Sequence, residues 1–141
     1  MVGILGVLLG WIGLFLAYRG ARRLRSPEVR LWALALLALA LWTWSESLII
    51  GTSDPELRIL GFQVQALGVA GVAPFFLLGA LRYSGLRPRL RLWHLIGVLL
   101  IPSLTVLLAF TNDAHHLVWS TLVVRPDGSL AVSYGPWFWV H

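Results

Sequence analysis

The sequence predicts an all-α membrane protein of four transmembrane helices, amino terminus outside, with a short extracytoplasmic β-hairpin near its carboxyl end. Three observations lead there. The 141 residues are 58% hydrophobic and only 12% charged, with a mean hydropathy of +0.81, too apolar for a domain whose whole surface faces water. Four long apolar runs divide the chain. All eleven basic residues are arginine, and nine of them fall in two of the loops between those runs.

The first run, Val2 to Tyr18, has no basic residue before it and Arg19, Arg22, Arg23 and Arg25 directly after it. That is the reverse of a secretory signal's charge order, so the run is read as a retained anchor. The second extends from Leu31 to Ile50, the third from Ile59 to Leu81 and the fourth from Leu92 to Phe110. At 1.5 Å per helical residue each approaches or exceeds the roughly 30 Å of bilayer hydrocarbon, the first narrowly and the third with room for tilt. Arg19 to Arg30 separate runs one and two, and Arg82, Arg87, Arg89 and Arg91 separate runs three and four. The remaining loop holds Asp54, Glu56 and Arg58. The excess of arginine assigns the first and third loops to the cytoplasm and both chain ends to the outside. The net charge of +5 is accounted for by these flanks, which argues against a nucleic-acid partner.

Boundary chemistry supports the spans. Ser26-Pro27-Glu28 and Ser53-Asp54-Pro55-Glu56 each offer an N-cap, a proline in the first turn and an acid beside the helix amino terminus. Pro74 and Pro102 lie inside the third and fourth runs, where each removes one backbone bond. Gly3, Gly6, Gly10 and Gly13 recur at helical spacing and give the first helix a smooth stripe for close packing. Residues 1–110 are thus the helical region and 111–141 a distinct tail. In that tail Leu117 to Val124 is rich in valine and tryptophan, and Arg125-Pro126-Asp127-Gly128 is turn chemistry before Ser129 to Tyr134, which together predict a hairpin. Trp137, Phe138 and Trp139 read as an aromatic belt at the outer interface, the start of a fifth helix.

Glu46 is the one acid inside a predicted span, where an ionised carboxylate costs roughly 2.5 to 3.5 kcal/mol at the bilayer centre. Gln63 and Gln65 begin at a similar depth on the returning helix and are its candidate partners. Three roles are open to Glu46: a structural hydrogen-bond partner, a ligand contact and a proton relay. Trp42 lies one turn below it on the same face, so a pocket edged by Trp42, Glu46 and a glutamine suits a small amphipathic ligand. His115 and His116 follow Asp113, and His141 ends the chain. Imidazole and carboxylate suit zinc, but adjacent histidines on one strand point to opposite faces, and the expectation is no metal. The candidate ligand-binding residues are Trp42, Glu46, Gln65, His115, His116 and Trp119. Cysteine is absent, and no nucleophile elbow, phosphate-cradling glycine loop or zinc-helix motif is present. The chain reads as a non-enzyme without cofactors. Its partners are the lipid bilayer, a small-molecule or lipid-derived ligand, and a second copy of itself, because an incomplete bundle leaves helix faces uncovered.

The order of features resembles the N-terminal seven-transmembrane sensor region of bacterial histidine kinases. The matching residues are Leu41-Trp42 through Glu46, Gln65-Ala66-Leu67-Gly68 through Pro74, Arg82-Tyr83-Ser84-Gly85 and Ile101-Pro102. Most specific are Thr111-Asn112, then His115-His116-Leu117-Val118-Trp119, and Tyr134-Gly135-Pro136-Trp137-Phe138-Trp139-Val140-His141. The resemblance implies an inner-membrane input module that senses a stimulus at or outside the bilayer and passes a helix movement to a cytoplasmic output domain, usually a histidine kinase. It also implies that the chain is about the first half of that sensor. The other classes weighed are a small multi-pass transporter subunit and a structural or accessory membrane protein. A compact proton-coupled exporter wants a carboxylate deep in its first helix, and the first run here is uncharged.

Overall fold

The computed structural model describes residues 2–23, 27–84, 92–125 and 130–140. Ser26, Arg25, Arg87, Arg89 and Arg91 of the arginine-rich loops, the turn at Pro126-Asp127-Gly128, and His141 lie outside the described residues. Four helices come first: α1 (Val2–Arg23), α2 (Pro27–Gly51), α3 (Pro55–Tyr83) and α4 (Leu92–Phe110). A short 3-10 turn, Asn112–Ala114, leads into β1 (Trp119–Val124) and β2 (Leu130–Tyr134), and a second 3-10 turn covers Pro136–Trp139. α1 packs on α2, α2 on α3 and α3 on α4.

The first three helices outrun their apolar runs at one or both ends, because a helix continues through polar residues that satisfy or cap its terminal amides. At the start of α3 the Asp54 carboxylate accepts the Glu56 N–H at 2.9 Å with Pro55 in the first turn. The Thr52 hydroxyl accepts the Asp54 N–H at 3.1 Å, and the Arg58 Nε donates to the Thr52 carbonyl at 2.7 Å. These bonds hold the tight α2–α3 turn. Pro74 and Pro102 are contained within α3 and α4, which run on past them.

Small residues set the helix contacts. A Cβ at Gly68 would stand 2.6 Å from the Trp42 amide nitrogen and 2.7 Å from the Ala38 carbonyl oxygen, so α2 and α3 meet backbone to backbone there. The glycine stripe of α1 faces α2, with Gly6 against Ser47, Gly10 against Trp44 and Gly13 against Ala40. Trp44 seals that contact by donating its indole N–H to the Val7 carbonyl at 3.2 Å and meeting Trp11 edge to face at 5.2 Å. The hydroxyls of Thr43, Ser45 and Ser47 donate to carbonyls three or four residues earlier in α2, which keeps them satisfied without water.

Glu28–Gly51, Pro55–Tyr83 and Trp93–Phe110 are long and apolar enough to cross a membrane, while the described apolar stretch of α1, Leu5–Gly20, is shorter. Large apolar side chains such as Leu8, Phe15, Phe76, Leu100 and Leu107 are uncovered by protein. In water these faces would drive aggregation; in lipid they are solvated. Tyr83 and Trp93 at one end, and Trp139 at the other, are 77% to 81% exposed, where amphipathic rings meet a membrane–water interface. The protein is therefore a mostly helical membrane protein with a small antiparallel sheet.

Candidate functional site

The hairpin sits against the ends of α3 and α4, and one asparagine holds it there. Asn112, two residues past the end of α4, is 1% exposed. Its side-chain oxygen accepts the N–H groups of Val118 at 2.9 Å and Trp119 at 3.2 Å, and its amide donates to the Trp119 carbonyl at 2.9 Å. The side chain thus stands in for a strand at the start of β1, pairing three backbone groups that would otherwise be buried bare. Its own carbonyl accepts from His115 and His116 and closes the turn.

Gly135 lies on the other side of the same strand start. Its N–H donates to the Val118 carbonyl and the Trp137 N–H to the Leu117 carbonyl, both at 2.9 Å. Any Cβ at Gly135 would collide with the Leu117 carbonyl, so a side chain there is excluded by backbone. Between Trp119 and Thr121 the register slips by one residue, and the extra residue, Ser120, donates its hydroxyl to the Ser133 carbonyl. Such a bulge re-aims its flanking side chains. Trp119 ends up 7% exposed, its ring 5.9 Å from Phe62 of α3, in a cluster with Val118 and Ala109 that Ala66, Leu108 and Trp137 surround.

Beside that cluster is a cavity of about 400 Å³. Its walls come from α2, α3, α4, both strands and the final turn: Trp42 of α2, Gln65 and Phe62 of α3, Thr105 of α4, Trp119 and Tyr134 of the strands and Trp137 of the final turn. Trp137 ties the hairpin's end to the middle of α4, since its indole N–H donates to the Thr105 hydroxyl at 2.9 Å, which in turn donates to the Ile101 carbonyl. A crevice of about 250 Å³ lies behind, between α1 and α2, lined in part by Gly6, Trp42, Glu46 and Ser47. Trp42 borders both spaces. Gln65 donates its amide N–H to the Glu46 Oε2, which joins the wall of the cavity to that of the crevice. No hydrogen bond between Gln63 and Glu46 accompanies it, so of the two candidate glutamines the nearer partner is Gln65.

Trp42, Gln65 and Trp119 therefore line one cavity, with Glu46 bonded to Gln65 from behind. The two histidines are elsewhere. His115 Nδ1 accepts the Leu117 N–H at 3.1 Å, which leaves the ring proton on Nε2, 3.1 Å from the Thr111 hydroxyl; that hydroxyl donates onward to the Leu107 carbonyl. Both ring nitrogens are thus committed to the turn. His116 is exposed and adopts φ 52°, a left-handed turn position rather than a strand position. Both histidines precede the strand, in a turn that ends the helix, because Asn112 pulls the backbone back on itself.

Sequence reasoning passed over Asn112, Thr105 and Trp137 as working residues. Asn112 carried one usable signal, a polar side chain directly after an apolar helix and before a valine-rich strand, where capping and turn chemistry concentrate. Thr105 carried none, since a lone threonine in an apolar helix normally bonds its own backbone.

A family model described as the N-terminal 7TM region of histidine kinase matches residues 3–141, almost the whole chain. No curated protein and no solved structure matches it.

Proposed function

The chain belongs to that family, the N-terminal seven-transmembrane region of histidine kinases, and from this premise we propose that it is the membrane-embedded input module of a bacterial two-component signalling protein. In this reading all four helices cross the inner membrane, the arginine-rich loops lie in the cytoplasm, and the hairpin with its cavity opens at the outer side. The module itself performs no chemistry. It changes shape when the cavity is occupied, and a histidine kinase joined to it reads that change.

The observation that carries the proposal is the composition of the cavity wall. One space touches α2, α3, α4, both strands and the last turn, so an occupant contacts three helices at once and alters their spacing more readily than a ligand on any single helix. A bistable packing of helices is what such an input requires, because a ligand shifts an equilibrium only by its differential affinity for two states. Trp42 and the Glu46–Gln65 bond extend the same wall to the α1–α2 crevice, which supplies a route to α1.

Alkaline phosphatase fusions after Gly85 and after Asp127 test the orientation: activity after Asp127 and none after Gly85 supports it, and the reverse overturns it. In the full-length signalling protein, Trp42→Ala is expected to abolish or lock the stimulus-dependent change in kinase autophosphorylation while membrane levels stay normal. Val69 of α3 also lines the cavity, and an unaltered response in both Trp42→Ala and Val69→Trp refutes the sensing role of the cavity.

A further inference from the structure

The chemistry of the cavity wall narrows what fills it. Among the described residues no lysine, arginine, histidine, aspartate or glutamate lines the space, so an anionic head group would be desolvated there without a counter-charge. Nearly half of the lining residues are aromatic, with indole, phenol and phenyl rings from Trp42, Phe62, Trp119, Tyr134, Trp137 and Phe138. At about 400 Å³ the volume lies toward the lower end of the range for small-molecule sites, roughly 300–1,000 Å³. Flat apolar ligands are held by offset or edge-to-face ring contacts in such surroundings.

Polar specificity comes from Gln65. Thr105 has no donor to spare, since its hydroxyl donates to the Ile101 carbonyl and accepts from Trp137. Gln65 is half-committed: its amide nitrogen is turned toward Glu46, which fixes the side chain's sense, because a carboxyl oxygen that accepts requires the N–H and not the C=O to face it. The amide oxygen accepts no hydrogen bond from the described residues and is left for an occupant. A wall group that accepts discriminates strongly in favour of a ligand that donates, since the unpaired alternative leaves a dehydrated carbonyl.

We infer that the cavity takes a neutral, mainly apolar, ring-containing molecule bearing one hydroxyl or N–H donor, which the Gln65 carbonyl accepts while Glu46 holds the amide in place. The inference rests on the reading of the cavity as the sensing site, and it adds the ligand's class. It excludes carboxylates and phosphates.

Three probes of one shape separate these cases: 2-naphthol, naphthalene and 2-naphthoate, neutral donor, neutral non-donor and anion at neutral pH. Each is measured by equilibrium dialysis against the full protein in nanodiscs, with empty nanodiscs subtracted. Saturable uptake of 2-naphthol at one site per chain is expected. Naphthalene and the Gln65→Leu variant with 2-naphthol should each bind about tenfold more weakly, the consequence of one lost buried hydrogen bond. Glu46→Gln, whose amide oxygen still accepts from Gln65, should retain binding within about threefold. Val69→Trp, whose indole would occupy the space, should abolish it. Uptake no greater than that of empty nanodiscs, naphthoate binding as well as naphthol, or indifference to both Gln65→Leu and Val69→Trp would each overturn the inference. None of these outcomes depends on kinase output, so if autophosphorylation still responds through Trp42 while 2-naphthol fails to bind, the ligand class falls and the sensing role stands.

Discussion

Replacing Asn112 by alanine tests how the hairpin is held. The side chain makes three hydrogen bonds, to the Val118 N–H, the Trp119 N–H and the Trp119 carbonyl, and it is 1% exposed. Truncation strands those groups beside a void that is too enclosed for easy rehydration. An unsatisfied buried backbone group costs about 1–3 kcal/mol, so three set an upper bound near 9 kcal/mol, and partial relaxation brings the expected loss to roughly 2–4 kcal/mol. The loss is local, because the helices keep their own contacts and only the strand start depends on Asn112. It should appear as opening of the hairpin rather than as unfolding of the bundle. Amide hydrogen exchange reads this directly: the Val118 and Trp119 amides of Asn112→Ala should exchange roughly 30- to 1,000-fold faster than in the parent, by the factor of ten per 1.4 kcal/mol, while amides in the middle of α2 change little. His116→Ala, at an exposed position two residues before Val118, is the control and should leave both amides within about threefold of the parent. If Asn112→Ala exchanges at the parent rate, the hairpin is held by its apolar cluster alone and the role given to Asn112 is wrong.

Other consequences follow from the packing. Gly68→Ala places a methyl within 2.6 Å of backbone on α2, where no side chain can yield, and should destabilise the helix pair by about 1–3 kcal/mol in mixed-micelle unfolding. Gly97→Ala, which meets nothing within 4 Å, should be neutral or slightly stabilising; equal losses at the two positions would contradict the close approach at Gly68. A double-mutant cycle of Trp137→Phe with Thr105→Val should give a coupling of about 0.5–1.5 kcal/mol for their 2.9 Å hydrogen bond. Additive effects within about 0.3 kcal/mol would show that the hairpin's end and α4 are not energetically joined.

How much was legible in the residues beforehand varied with the range of the interaction involved. Four helices and a two-stranded hairpin in the observed order were readable from hydropathy and turn chemistry, because in lipid the backbone must satisfy itself within each segment and composition leaves few alternatives. The α3 cap at Asp54-Pro55-Glu56 was equally local. Glu46 could be given a short set of candidate partners from depth alone, and the glycine stripe of α1 announced a close contact. The path of the chain at the histidines was not readable, because a buried asparagine three residues earlier bends it through hydrogen bonds to residues six and seven positions on.

The amino-acid sequence by itself determined the solvent this protein lives in, the elements it forms and their order, since those depend on apolar length, caps and turns that act over a few residues. Only the tertiary structure decided that Gln65 and not Gln63 answers Glu46, that Gly68 brings α2 against α3, and that a tryptophan near the end of the chain bonds a threonine in α4. Those pairings join residues 19 to 32 positions apart, or lie at a crossing of two helices, and each depends on rotation about a helix axis that hydropathy leaves undetermined. The cavity exists because all of them hold together.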